Sequence, residues 1–369
     1  MYDIAIVGAG PAGSTMARLL GDRYRVLLVD RRRLDLDPSA GALKKPCGGL
    51  LAPATQRELA RQGLGVPARV AVGPQLFAVR TLDLDAGLTS LYQRFYVNVE
   101  REEFDRWLVS LVPPRVELGF GWRLTHFERD FTRSFLRFTT AEGGQAGVSS
   151  RLVVGADGAS SLVRRLAFPD APTPSRYSAI QAEYENSSSD ASYGAIFDAS
   201  LTDFYGWTIP KGDTLTIGAA FPAGRGAPAG FEALVDRLRQ SGMRFGTRLS
   251  RSSAMIARPT SLFQLCPGAG GVLLAGEAAG FISPSSAEGI SYALKSAACL
   301  GRALYPGLDG AGARYRSATW PLALDVGAKA LKSRAIYGAS TRRLIMRSGV
   351  GAIHSQPSAP GVPAAGFAP

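Results

Sequence analysis

Cysteine and histidine are scarce in this chain, and long apolar runs are missing. Three cysteines (Cys47, Cys266, Cys299) and two histidines (His126, His354) stand among 369 residues. Three thiols cannot frame a disulfide-stapled domain, and two imidazoles argue against a zinc enzyme or a multi-histidine metal hydrolase, so no metal site is expected. The longest apolar run, 271–280, is broken by Glu277 and falls short of the roughly 18 residues a membrane-spanning helix needs. Met1 leads within seven residues into a glycine motif, with no basic and cleavable apolar segment before it, so the expected location is cytoplasmic, peripheral to a membrane at most. No sequence repeat of fixed period is present, which argues against a solenoid or propeller. Acidic residues are also in deficit, 30 against 42 Lys and Arg, and the net charge of +12 favours anionic partners such as a phosphate-bearing cofactor, a lipid surface or nucleic acid. The 46% of hydrophobic residues suffices for a substantial core, and about 150 residues per domain suggests two domains.

What is present begins at once. Tyr2 to Val7 is a continuous apolar run suited to a strand buried on both faces. Gly8-Ala9-Gly10-Pro11-Ala12-Gly13 follows, then a helix over Ser14 to Leu20 and a second buried strand, Arg25 to Val29, ending at Asp30. In this unit Gly8 permits the tight turn, Gly10 lets backbone approach a pyrophosphate and Gly13 lets helix pack on strand. The helix N-terminus presents N–H donors to the negative charge. Asp30, seventeen residues after Gly13, can accept from ribose hydroxyls and disfavours a 2′-phosphate. The motif fits FAD and NAD alike.

Two later segments separate them. Gly155-Ala156-Asp157-Gly158, continuing to Arg164, follows one buried strand, and Gly276-Glu277-Ala278-Ala279-Gly280 follows another, with Pro284 and a helix beyond. Three motifs in this order resemble the para-hydroxybenzoate hydroxylase superfamily of flavoproteins, and the resemblance implies FAD. Lys45-Pro46-Cys47-Gly48-Gly49-Leu50, the helix residues Arg101, Phe104, Asp105 and Leu108, and Tyr205-Gly206-Trp207-Thr208-Ile209-Pro210-Lys211 look like segments of the geranylgeranyl reductase family that lie against the flavin and line its substrate cavity. The run 276–292 looks more like a sister branch that includes flavoprotein monooxygenases of tryptophylquinone biogenesis. The resemblance implies cofactor contacts at Gly8, Gly10, Ala12, Gly13, Asp30, Arg31, Cys47, Gly48, Gly49, Arg101, Asp157, Gly276, Glu277, Ala278, Pro284, Gly289 and Ile290. It implies catalytic positions at Cys47, Tyr205 and Trp207. Cys47 equally fits a small buried thiol beside two glycines, and Tyr205 with Trp207 one face of a strand packed into a core. A helix beginning near Glu288 would aim its positive end at the flavin pyrimidine edge.

The expected fold is α/β: a Rossmann-like FAD-binding domain (1–65, 98–170, 255–320) interleaved with a β-sheet substrate domain (66–97, 171–254), a short helical C-terminal region (321–355) and a flexible tail (356–369). The expected function is an FAD-dependent oxidoreductase, reduced by NAD(P)H or another external donor. It would hydroxylate an aromatic or peptidyl tryptophan substrate through a flavin C4a-hydroperoxide. The alternatives are reduction of isoprenoid double bonds and a non-catalytic flavin-binding accessory role. Both histidines read as surface residues. Between Gly301 and His354 nine basic residues, Arg342, Arg343 and Arg347 among them, face only Asp309 and Asp325. This is either a solvated helical face or a docking surface for an anionic partner or membrane; nucleic acid is not expected, since no binding module is present.

Overall fold

The computed structural model describes residues 1–36, 46–188, 190–224 and 226–353. Lys45, His354 and the tail lie outside the described residues. The strands, in chain order, begin with β1 (Tyr2–Val7), β2 (Val26–Asp30), β3 (Leu50–Leu51), β4 (Leu76–Asp83) and β5 (Leu88–Asn98). They continue with β6 (Glu117–Phe120), β7 (Arg123–Arg129), β8 (Ser134–Thr139), β9 (Gln145–Gly155), β10 (Ser175–Glu185) and β11 (Tyr193–Phe197). The last are β12 (Gly206–Lys211), β13 (Thr214–Pro222), β14 (Arg248–Arg258), β15 (Gly268–Ala269) and β16 (Val272–Leu274). The helices are α1 (Pro11–Leu20), α2 (Pro53–Arg61), α3 (Arg101–Ser110), α4 (Leu162–Ala167), α5 (Ala227–Gln240), α6 (Ile290–Leu304), α7 (Ala311–Tyr337) and α8 (Ala339–Ser348).

Two sheets result. The nucleotide sheet runs β15-β16-β9-β1-β2-β6, and its strands from β16 to β6 are parallel. Its continuous apolar runs are needed because both faces are covered. Ile4, Ile6, Val26 and Leu28 pack on α1 and α6, while Ala5, Val7, Leu27 and Val29 pack on the other side with Leu136 and Phe138 of β8. Strand β9 is longer than the expected Leu152 to Val154. Its first half pairs antiparallel with β8, and its second half enters the parallel sheet between β1 and β16.

The substrate sheet runs β14-β10-β13-β12-β11-β4-β5-β3 and is antiparallel except where β11 meets β4. Its period-two alternation divides two jobs. Ile180, Ala182, Ile217 and Ala219 pack against Phe231, Leu234 and Leu238 of α5. Ala179, Gln181, Ala195, Trp207 and Ile209, one position out of phase, line a cavity on the opposite face.

Helix boundaries moved for local reasons. Helix α1 starts at Pro11, three residues before the expected Ser14, since proline at the first position lacks only an N–H that would have no intrahelical partner. Helix α7 continues unbroken through Pro321, so the helical C-terminal region begins well before the expected 321. Proline there removes one backbone bond, which packing on α6 outweighs.

Candidate active site

A cavity of about 590 Å³ lies between the two sheets and reaches the C-terminal helices. At one end it is walled by Gly10, Pro11 and Ala12, by Cys47, Gly48 and Gly49, by Arg101, and by Gly276, Glu277, Gly289 and Ile290. At the other it is walled by Tyr193, Phe197, Tyr205, Trp207, Ile336, Tyr337, Ile345 and Met346.

The first end is built from backbone. Gly8 has φ +107°, and a Cβ there would lie 2.4 Å from the Ala156 carbonyl oxygen; a Cβ on Gly13 would lie 1.8 Å from the Gly8 oxygen. A Cβ on Gly10 would meet nothing within 4 Å. Gly8 and Gly13 are therefore fixed by the protein's own packing, while Gly10 keeps space clear on the cavity side. Helix α1 has no capping side chain and no acid in its first turn, so its N-terminal amides and dipole are available to an anion. An uncapped helix end, a cleared glycine and a cavity of this size fit the pyrophosphate of FAD, which the Gly10 to Ala12 backbone would hold. Cys47 to Gly49, Glu277, Gly289 and Ile290 would flank the rest of the molecule.

A chain of buried charges holds this end together. The Ala9 N–H donates to Asp30 Oδ2 at 2.8 Å, and Arg32 binds both Asp30 oxygens and reaches Asp105 at 2.8 Å. Arg101 donates from Nε to the other Asp105 oxygen at 2.8 Å and also contacts Cys47. Two carboxylates and two guanidiniums thus cancel in the interior. Burial alone would raise the Asp105 carboxyl, but Arg101 and Arg32 overcome this and hold it below the usual range. The sequence expectation named Arg31, which is exposed and off the cavity wall; its neighbour Arg32 makes the network.

Several other expected contacts sit behind the wall. Asp157 accepts from the Ser161 hydroxyl and from the Leu162 and Val163 amides, capping α4, while its neighbours Ala156 and Gly158 face the cavity. Burial pushes the Asp157 carboxyl up. The Ala278 carbonyl accepts from Arg164, which ties the second glycine motif to the third. Pro284 lies off the wall, and Asp30 is fully engaged with Ala9 and Arg32. Glu277 is on the wall, but one oxygen accepts from the Ala257 amide of β14 at 2.9 Å. The helix expected to begin near Glu288 is α6, and its N-cap Gly289 and first residue Ile290 are on the cavity wall. Helix α6 starts at Ile290, and Glu288 caps its first turn, accepting from the Ser291 amide at 2.7 Å and hydroxyl at 2.6 Å. A carboxylate at that position neutralises much of the dipole.

The second end is built from side chains. Tyr205 donates to the Ser286 carbonyl at 2.7 Å, Tyr337 to the Ser285 carbonyl at 3.1 Å, and Tyr193 to the Tyr205 hydroxyl at 3.4 Å. These bonds fix the loop 283–289, in which Ala287 holds φ +50°, a left-handed conformation costly for a residue with a Cβ. Burial raises Tyr205 and Tyr193 far above the ordinary tyrosine value, so both keep their protons. The Trp207 ring lies against Gly218, whose added Cβ would come within 2.4 Å of the indole. Lys211, buried, donates to the Asn98 side chain at 2.9 Å and the Val99 carbonyl at 2.6 Å behind Gly49. Tyr96, Tyr193 and Tyr337 were not singled out as site residues from sequence; only helix and strand phase beside Tyr205 and Ser285 could have pointed to them. His126 is exposed on β7, beside Glu128.

Comparison with known proteins fits this geometry. The FAD binding domain family matches residues 1–184. Protein CbrA of Escherichia coli O6:H1 (strain CFT073) is 38% identical over 349 residues, covering 95% of this chain and 94% of its own. The chain belongs to the CbrA family. CbrA of Shigella dysenteriae serotype 1 is likewise 38% identical over 95% of this chain and 97% of its own. Among solved structures, a geranylgeranyl bacteriochlorophyll reductase-like protein from Thermoplasma acidophilum superposes with TM-score 0.77 at 17% identity, over 92% of this chain and 87% of that one. PqsL of P. aeruginosa, in complex with 2-aminobenzoylacetate, gives 0.68 at 19% identity over 94% and 98%. The CbrA-family chain therefore has an FAD-binding domain and a fold shared with these two proteins.

Proposed function

We propose that this CbrA-family chain is an FAD-dependent oxidoreductase acting on an elongated apolar substrate, and that its reaction is reduction of a carbon–carbon double bond. The observation that carries this is one continuous cavity joining the glycine loop to a chamber of aromatic and aliphatic side chains that extends to Ile336, Ile345 and Met346. Among the described residues the acids on the cavity wall are Glu277 and Glu288, and both are already engaged. A chamber lined largely by aromatic and aliphatic side chains favours an apolar substrate held by burial. FAD, when bound and reduced by an external donor such as NAD(P)H, supplies two-electron chemistry. The chain's own residues orient the substrate and exclude water: Trp207 and Phe197 as walls, and Tyr205 and Tyr337 through the loop they fix. Cys47, beside Arg101, is the protic group at the junction of the two ends.

Hydroxylation of an aromatic or peptidyl substrate is the second reading, supported by the aromatic wall of Phe197, Tyr205 and Trp207. Product mass separates the two: reduction adds two hydrogens and hydroxylation one oxygen. Incubation of the holoprotein with NADPH and a polyprenyl alcohol is expected to give the hydrogenated product. Oxygenated product in its place would overturn the reductase reading, and flavin-loaded protein giving neither on any apolar substrate would favour an accessory role.

A further inference from the structure

The C-terminal helices expose what helices ordinarily bury. On α8 the inward positions are Arg342 and Met346, whereas Leu344 is 71% exposed and Ile345 43%. Arg342 is held inside by the buried Asp83, 2.8 Å from its Nε, with its guanidinium over the Phe197 ring. Helix α7 shows the same inversion. Trp320 is 58% exposed and Leu331 66%, and with the exposed Leu324 they recur at spacings of four and seven residues, which places all three on one stripe. Val350 and Ile353 continue the exposed series beyond α8, where the Ile353 amide donates to Leu91 of β5.

Part of this face borders the cavity. Arg94 of β5, Lys332 of α7 and Ile345 of α8 are cavity-wall residues that are also exposed. Leu331 and Leu344 adjoin two of them. The charge is one-sided: between Ala311 and Ile353 eight cations stand against Asp325, which is bonded to Lys329 and Tyr292. Arg316, Lys332, Arg334 and Arg347 are exposed among the apolar side chains.

We propose that α7 and α8 form an interfacial surface that docks on an anionic lipid bilayer. The exposed Trp, Leu, Ile and Val side chains enter the headgroup boundary, and the cations around them meet lipid phosphates. A second copy of the chain fits worse, because it would bring two basic faces together. Among the described residues no helix is long and apolar enough to cross a membrane, so the contact is with the surface. Docking deepens the proposed function by bringing the cavity to a source of apolar substrate. It is measured without turnover, so either reading can fail alone.

The test is sedimentation of the flavin-loaded protein with vesicles of phosphatidylcholine alone and of phosphatidylcholine with about a quarter phosphatidylglycerol. Binding is expected on the anionic vesicles, lost as salt rises toward about 0.5 M. Arg334→Ser and Arg347→Ser should each weaken it about fivefold. Leu331→Ser with Leu344→Ser should weaken it at least about tenfold, with flavin content and melting temperature unchanged because both residues are exposed. Equal or absent binding on the two vesicles, no salt dependence, or full binding by the leucine pair would overturn the proposal. A dimer in light scattering that the leucine pair abolishes, with vesicle binding untouched, would assign the face to a second copy instead. Should the leucine pair fold poorly, the arginine variants and the wild-type salt titration still decide.

Discussion

The two ends of the cavity are made from different materials. At the glycine-loop end the wall is backbone, and side chains matter chiefly where they are absent: Gly8 and Gly13 have no room for a Cβ, and Gly10 has room that must stay empty. At the chamber end the wall is side chain, and backbone matters only in holding tyrosines against the Ser285 and Ser286 carbonyls. A backbone wall suits a ligand recognised by its pyrophosphate, whose needs do not vary. A side-chain wall can be retuned residue by residue, so proteins sharing this fold at under a fifth identity can differ in chemistry while keeping the first end.

The sharpest way to break that comparison is at the glycines. Gly13→Val should cost at least about 4 kcal/mol and leave little soluble protein, because its first side-chain atom collides with the Gly8 carbonyl. Gly10→Val should keep wild-type circular dichroism and the melting temperature of flavin-stripped wild type yet purify colourless. If Gly10→Val unfolds, Gly10 serves packing and not cofactor clearance.

Next in size is the charge chain behind that end. Asp105→Asn leaves Arg32 and Arg101 buried without their shared carboxylate and should cost about 3–5 kcal/mol in chemical denaturation. The pH dependence follows from the direction of the shift. Asp105 is held below the ordinary carboxylate range, so its contribution is complete above about pH 4 and is lost as pH falls through its lower folded value. The wild type should therefore lose melting temperature in acid more steeply than Asp105→Asn; parallel acid profiles would show that Asp105 carries no folded-state shift.

At the chamber end the effects should be smaller and confined to substrate. Trp207→Ala is expected to keep flavin content near wild type, cost up to about 3 kcal/mol of stability and raise KM for an apolar substrate about tenfold. Flavin loss in proportion to unfolding would make Trp207 ordinary core. The smallest change is Cys47→Ser, expected to alter stability by under about 1 kcal/mol and turnover little, since serine can still accept from Arg101. A collapse of turnover with flavin retained would give the sulfur a chemical part.

The same contrast explains what could be read from sequence. The β1, glycine loop, α1, β2 unit was legible because each step demands a particular residue: buried β-branched runs, glycines at fixed offsets and an acid at the end of β2. Cys47, Gly49 and Arg101 could be placed at the cavity by family resemblance alone. What was illegible depends on partners far along the chain. From sequence, Arg342 reads as one more cation of the basic C-terminal region. It is instead bound to Asp83, 259 residues away, so reversing it would set two carboxylates together inside the protein. Nothing local to Pro321 announces that α7 runs through it, and nothing local to Glu288 tells that it faces Thr55.

The order in which the nucleotide sheet is assembled has a consequence for synthesis. Strand β16 pairs with β9 across more than a hundred residues of intervening chain, and the cavity wall at Gly276, Glu277, Gly289 and Ile290 comes after all the substrate strands. A nascent chain that has emerged only as far as residue 184, the span of the FAD binding domain match, has the glycine loop but lacks one side of the cradle. The complete cradle exists only once the chain through Ile290 has been made. FAD would join a chain whose substrate sheet is already translated, and prematurely terminated products would remain without flavin.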